Sequence, residues 1–344
     1  MPTIPSRPLG LFDYQQRLEE LSERPSALTR LGSTVDWEVF RPALTRAMIR
    51  TSKGPGGRPR FDVVFMFKVL VLQRTFNLSD AQTEFQIQDR FSFQQFVGIT
   101  VADVVPDQNT IWDFREQLRA AGVESDLWAT FNALLAGAGL VLTPGKIVDA
   151  TFVDVPKQRN SSDENAAIKQ GDQPAGWSQD SPARLRQKDT DARWAKKGPE
   201  THFGYKNHIK IDARTKLIER HVVTSASIHE SLVADHLFSA GDGAGYGDKA
   251  YDNTHIDALL ATQGTANRIL RQGRSNAPLT PSQERTNHLR SRTRVRVEHI
   301  FAFMSNVMHA DWLRSIGLPR ARFHIGLNNL TYNLHRFAFL RRTT

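Results

Sequence analysis

The sequence predicts an all-helical domain followed by an α/β domain, and three observations carry that prediction. Between residues 61 and 140 the apolar residues recur at helical spacing. From Gly145 onward, strand-like runs with alternating or continuous apolar character are interleaved with helical ones, the pattern of an α/β sheet. The chain has 344 residues, enough for two cores, and it carries no tandem repeat or sustained heptad.

Residues 1–60 read as irregular and end in the Gly/Pro-rich basic hinge SKGPGGRPR, Ser52 to Arg60. The helical domain, 61–140, opens on FDVVFMFKVLVLQRTF. Its apolar run carries Lys68 in the middle and is well short of the roughly 20 residues of a membrane span, so it is expected to be a buried helix. Ser79 followed by Gln82 is a capping box that opens a helix through Asp89. Pro106 and Asp107 then precede a run that sets Ile111, Phe114 and Leu118 on one face, ended by Gly122. Two readings of this domain stay open: a helix-turn-helix offering Gln108, Asn109 and Arg115 to a DNA groove, or a structural bundle.

The α/β domain, 145–344, begins with the strand KIVDATFVDV. The hairpin HFGYKNHIKID and KLIERHVVTSAS follows, turning at Ala213-Arg214. Then come helical SLVADHLFSA, strand-like GYGDKAY, helical THIDALLATQG, a short strand ANRILR and the Arg-rich helix TRVRVEHIFAF. An insertion at 156–200 is polar and lacks apolar periodicity. It is too long for an ordinary connection, and is either a functional loop or disordered.

The net charge is +9, and the excess is concentrated at the end, where Pro281 to Thr344 hold eleven Arg and no Lys against three acids. Arginine forks suit phosphate oxygens, so a polyanion is the expected partner. The absence of cysteine excludes disulfides, thiolate zinc sites and cysteine nucleophiles. The start MPTIPSRPLG lacks an apolar core of signal-peptide length, and a cytoplasmic location is expected. No HExxH or GxSxG spacing supports zinc or serine hydrolysis.

Three acids stand out. Asp149 interrupts an apolar strand, where a charge is costly unless it is paired or binds a cation. Asp248 stands at the end of the strand GYGD, and strand carboxyl ends are where sites assemble in α/β sheets. Glu298 sits between a charged and an apolar face of the Arg-rich helix. Taken singly, each has a plain reading as a helix cap or ion pair, such as Glu298 with Arg294 one turn earlier. Converging, they are hard oxygen ligands of the kind Mg²⁺ or Mn²⁺ prefers, and two such ions about 3.5–4 Å apart serve in-line phosphoryl displacement.

These residues and their flanks resemble the bacterial DDE transposases of the insertion-sequence-5 family over most of the chain. The resemblance runs through IVDAT around Asp149, GDKAY around Asp248 and the RxxxExxF pattern of Arg294, Glu298 and Phe301, with the acids 99 and 50 residues apart. It extends to LSDAQTEFQIQDRFSFQQFVG, VPDQNTIWDFREQL, AKKGPETHFGYKNHIKID and SIHES. It implies a ribonuclease-H-like catalytic domain with a mixed sheet behind a helical DNA-binding domain. It also implies two Mg²⁺ or Mn²⁺ ions on Asp149, Asp248 and Glu298, and double-stranded DNA partners, namely the element's terminal inverted repeats and target DNA. A homodimer or higher oligomer on DNA, at the nucleoid, is expected, with Lys206 facing the DNA channel and His208 a satisfied surface residue. The sequence departs from the family where Ser291 and Ser305 replace an expected Tyr and Lys; Arg290, Arg292 or Arg296 stand nearby to supply the missing charge. A nuclease of the same fold and a non-catalytic DNA-binding relative remain the rival readings.

Overall fold

Helices occupy much of the stretch from Asp13 to Ala47, which the sequence reading left irregular. The computed structural model describes residues 10, 12–22, 26–48, 59–140, 142–177 and 182–342. It places α1 at Asp13–Ser22, α2 at Ala27–Thr34 and α3 at Arg41–Ala47. Their apolar residues are too sparse for an obvious period, and local capping and aromatic packing supply the order. The Ser26 hydroxyl accepts from the Thr29 N–H, and Asp36 caps a 3-10 turn at Trp37–Phe40. Trp37 and Phe40 then pack on Phe67, at ring separations of 6.1 and 5.1 Å. Of the basic hinge, Ser52 to Arg58 lies outside the described residues.

The apolar run forms α4, Val63–Thr75, with Val64, Met66, Phe67, Val69, Leu70, Val71 and Leu72 all buried. At about 1.5–3 kcal/mol for each large side chain, this helix is the main apolar contribution to the first unit. The capping box forms as read: Ser79 and Gln82 close the start of α5, Asp80–Asp89, which leads to α6 at Phe91–Val97. Asp107 caps α7, Gln108–Ala120, which buries Ile111, Phe114 and Leu118.

Two compact units result. The first holds the described residues up to Gln73, Leu78–Val123 and the chain from Ala338; the second holds Arg74–Asn77 and Glu124–Phe337. Thus α8, Glu124–Gly137, belongs with the second unit, and the boundary falls ahead of the expected residue 140. Its buried face explains this, since Trp128 stacks obliquely on His221 and Phe131 meets the edge of Phe337.

In the second unit, β1 (Lys146–Asp154) lies between β3 (Glu200–Asp212) and β5 (Ala244–Tyr246). Beyond β3 on the other side come β2 (Arg193–Lys197) and β4 (Ile218–Ser225), which share one edge of it, and β6 (Ala266–Asn267) follows β5. The β1, β3 and β4 ladder is antiparallel, and β1, β5 and β6 run parallel. The described part of the polar insertion forms α9 (Ser162–Gln170), opened by a Ser161–Glu164 capping box, then α10 (Pro182–Leu185) and edge strand β2.

One face of the sheet packs Val148 against α11 (Ala234–Leu237) and α12 (Thr254–Thr262). The other packs Val153, Phe203 and Tyr205 against Ala321 and Ile325 of α15 (Leu318–Leu340). Polar contacts set the position of α15: Asn207 and Asn329 exchange amide hydrogen bonds of 2.7 and 3.0 Å, and Asn333 satisfies both backbone groups of Ile218. Between β6 and α15 lie α13 (Pro281–Arg294) and α14 (Glu298–Asn306). Among the described residues, no helix is long and apolar enough to cross a membrane.

Candidate active site

The parallel pairing of β1 and β5 lasts only two positions, Lys146 with Gly245 and Ile147 with Tyr246. Carried two residues further, the same register sets Asp149 opposite Asp248, at the point where the strands part. Past Gly247 the chain turns, and Asp248 caps the 3-10 turn Lys249–Tyr251 by accepting from the Ala250 N–H at 2.9 Å. Gly247 gives the turn its clearance, since a Cβ there would stand 3.2 Å from the Tyr251 ring.

Asp149 is buried. One carboxylate oxygen accepts from the Ala150 N–H at 2.8 Å and the other from Arg294 Nη2 at 2.9 Å. Burial pushes its pKa up to about 6, against the pull of Arg294 and the Ala150 N–H, and the Asp248 and Glu230 charges add to the rise. Arg294 also donates from Nη1 to Glu298 at 2.8 Å, so one guanidinium joins the first and third acids of the expected set. Asp149, Asp248 and Glu298 all line a single cleft of about 480 Å³.

The tightest knot of carboxylates in that cleft has a different third member. One oxygen each from Asp149, Asp248 and Glu230 lie within 4.8 Å of one another. Glu230 opens the 3-10 turn Glu230–Val233, in the SIHES segment. Burial, and then the Asp248 charge, raise its pKa, while Lys206 opposes them. Tyr251, three residues after Asp248, is wholly buried, and its hydroxyl has no hydrogen-bond partner. Burial followed by the Glu230, Asp149 and Asp248 charges drives its pKa well up.

The cleft's basic groups are Lys196, Lys197, Lys206 and Arg294. Lys196 and Lys197 are exposed on β2, within the polar insertion. Lys206 lines the cleft but is buried: its Nζ donates to the Ile228 carbonyl at 3.0 Å, lies 3.7 Å from Glu230 and sits over the Phe152 ring. The expectation of a surface His208 is corrected. Its neighbours on both sides of β3 enclose it, Nε2 bonds Thr224, and burial with the Lys206 charge lowers its pKa to about 3.

Arg115, expected to reach a DNA groove, is also corrected. It is buried, and pairs with Asp80 at 2.8 Å and Gln73 at 3.1 Å, so its donors serve the interior of the first unit. Asn109 is exposed on α7. In the Arg-rich segment Arg292 and Arg296 are exposed, Arg296 while donating to the Ala213 carbonyl, and the half-buried Arg290 donates to the Ile269 carbonyl. Ser291 and Ser305 are also occupied internally, by the His288 carbonyl and the Asp311 carboxylate.

The donor set fits a divalent cation. Three hard oxygens lie within 4.8 Å of one another, their charges act on an unpartnered buried hydroxyl, and the three carboxylates outnumber their near cations, Arg294 and Lys206.

Comparison with known proteins adds two family matches. Residues 16–117 match a family described as a transposase domain (DUF772), and residues 142–334 match the transposase DDE domain. Among solved structures, the chain is similar to the cryo-EM structure of a piggyBac transposase synaptic complex with hairpin DNA. Their sequence identity is 10% and the TM-score 0.46, over 94% of this chain and 77% of that one.

Proposed function

The chain belongs to the family of transposases that carry a DDE domain, enzymes that cut and rejoin DNA, and from that premise we propose that Asp149, Asp248 and Glu298 are its catalytic carboxylates. The observation that carries this reading is the placement of Asp149 and Asp248 at matching positions on two parting parallel strands, with Arg294 tying Glu298 into the same cleft. The sheet supports a ribonuclease-H-like fold, with an antiparallel β4-β3-β1 ladder continued in parallel by β5 and β6. The motif flanks support membership of the insertion-sequence-5 group.

Mg²⁺ or Mn²⁺, two ions in the working enzyme, fits the all-oxygen ligands; when bound, they polarise the phosphate and make the attacking oxygen more nucleophilic. The chain's own residues bind and orient. Arg294 fixes the Asp149 and Glu298 carboxylates, and its charge faces the same cleft as the phosphate. Lys196 and Lys197, exposed at the rim, hold the strand's phosphates. Lys206 fastens the Ile228 carbonyl and so steadies the turn that carries Glu230. Arg292, Arg296 and Asn109 are the exposed members of the expected DNA-contact set, and the half-buried Arg290 acts from its anchor on the Ile269 carbonyl.

The DNA partners are the element's terminal repeats and the target duplex. Bringing two ends together calls for a dimer or larger assembly on DNA, at the nucleoid. The test is cleavage and strand transfer of a labelled duplex carrying the repeats that flank the gene, in Mg²⁺ and in Mn²⁺. Asp149→Asn, Asp248→Asn and Glu298→Gln should each abolish both products while the chain stays folded. Cut ends without joined product would favour a hydrolytic nuclease, and undiminished cleavage by Asp149→Asn would reject the catalytic assignment.

A further inference from the structure

Four carboxylates line a cleft for which the DDE pattern names three, and the extra one, Glu230, is the better placed partner of the two aspartates. We propose that the tight divalent-cation site is formed by Asp149, Asp248 and Glu230, with the Tyr251 hydroxyl positioning its carboxylates, while Glu298 stands apart on Arg294. The proposal rests on the active-site reading above and deepens it.

Distance is the first argument. With the usual bond length of roughly 2.1 Å in an octahedral shell, oxygens opposite one another on a Mg²⁺ ion stand about 4.2 Å apart and neighbouring ones about 3 Å. The three oxygens already lie within 4.8 Å of one another, so closing on one ion requires shifts of no more than about an ångström each. Glu298 is not in that set. Its carboxylate is exposed and holds Arg294 at 2.8 Å.

The second argument is charge. The Glu230 side chain is only 16% exposed and faces Asp248, with Lys206 its near cation at 3.7 Å. Lys206 spends a closer hydrogen bond on the Ile228 carbonyl. Holding like-charged carboxylates in a partly buried knot is costly unless a cation joins them.

Tyr251 is the independent third observation. It is fully buried, and its hydroxyl finds no acceptor although three carboxylates act on it. Such a group costs free energy unless the occupied site draws a ligand oxygen within reach of its O–H. A metal ligand set is ordinarily oriented by this kind of outer contact.

Mn²⁺ titration of the purified full-length chain, with free Mn²⁺ read by electron paramagnetic resonance, tests the proposal without DNA or turnover. Glu230→Gln and Asp248→Asn should each weaken the tight site by about tenfold or more, Tyr251→Phe by less, and Glu298→Gln by no more than about twofold. Melting in EDTA checks the fold. Should Gln at 230 unfold the chain, Glu230→Asp is read instead, where the shorter carboxylate should still cost affinity. Wild-type affinity in the folded Glu230 variants, with a loss in Glu298→Gln, would overturn the proposal and leave the active-site reading standing. Unchanged affinity in Asp149→Asn and Asp248→Asn as well would reject both.

Discussion

Asp149→Asn isolates the electrostatic cost of the active site from its chemistry. The unfolded chain releases this proton near 3.8, and the folded chain holds it to about 6. Between those values the folded state binds more protons, so stability falls as pH rises through the window and is level above it. Two pH units at about 1.4 kcal/mol each give a cost of about 3 kcal/mol for the ionised carboxylate at neutral pH. Asn carries no charge at any pH. In EDTA at about pH 8 the variant should therefore be the more stable protein by roughly 2–3 kcal/mol, and near pH 3.5 the difference should shrink toward zero. Urea unfolding followed by circular dichroism reads both. Mg²⁺ at a hundred times its Kd should bring the two level, since it adds about 2.7 kcal/mol to the wild type and little to a chain lacking a ligand, and at a thousand times its Kd, where it adds about 4.1 kcal/mol, the order should reverse. An Asn variant less stable than wild type at about pH 8 in EDTA would refute the reasoning, because the Arg294 contact would then outweigh the burial cost.

Arg115→Ala should leave DNA affinity unchanged and destabilise the helical unit by about 3 kcal/mol, because the partly buried Asp80 carboxylate would lose its guanidinium; loss of DNA binding in a folded variant would contradict this. His335 is buried beside Thr75 with its pKa lowered to about 4. Its stabilising contribution is complete above about pH 6.5 and is lost as pH falls toward 4, so His335→Gln should flatten the acid limb of a stability profile by up to about 3 kcal/mol. Replacing Lys196 and Lys197 together by Ala should lower the slope of log affinity against log salt by about 0.9 for each phosphate contact removed, and an unchanged slope would take both off the DNA path.

The strands were legible because each is a short apolar run bounded by turn residues, and Asp149 and Asp248 announced themselves as charges at the wrong places in such runs. Ser79 and Gln82 fixed a helix start for the same local reason. What was missed depends on contacts distant in sequence. Glu230 sits in a single 3-10 turn with no period, and becomes a neighbour of Asp149 only through the path of β3, β4 and the turn after them. Lys196 and Lys197 are brought to the cleft by an edge strand of five residues inside a polar stretch. The exception is Arg115, since Ile111, Phe114, Arg115 and Leu118 occupy one helical stripe. Its side of the helix was readable, and only its charge suggested the opposite face.

Arg294 bears on how far the fold depends on a metal. Small domains organised around a metal are unfolded until they receive it. Here a resident guanidinium spans Asp149 and Glu298, and ordinary apolar cores lie on both faces of the sheet, so the bulk of the folding free energy comes from packing rather than from the carboxylate site. On the proposed reading, removing divalent ions should therefore silence cutting while leaving the chain folded, a separation of stability from activity that a melting curve in EDTA beside a cleavage assay would read.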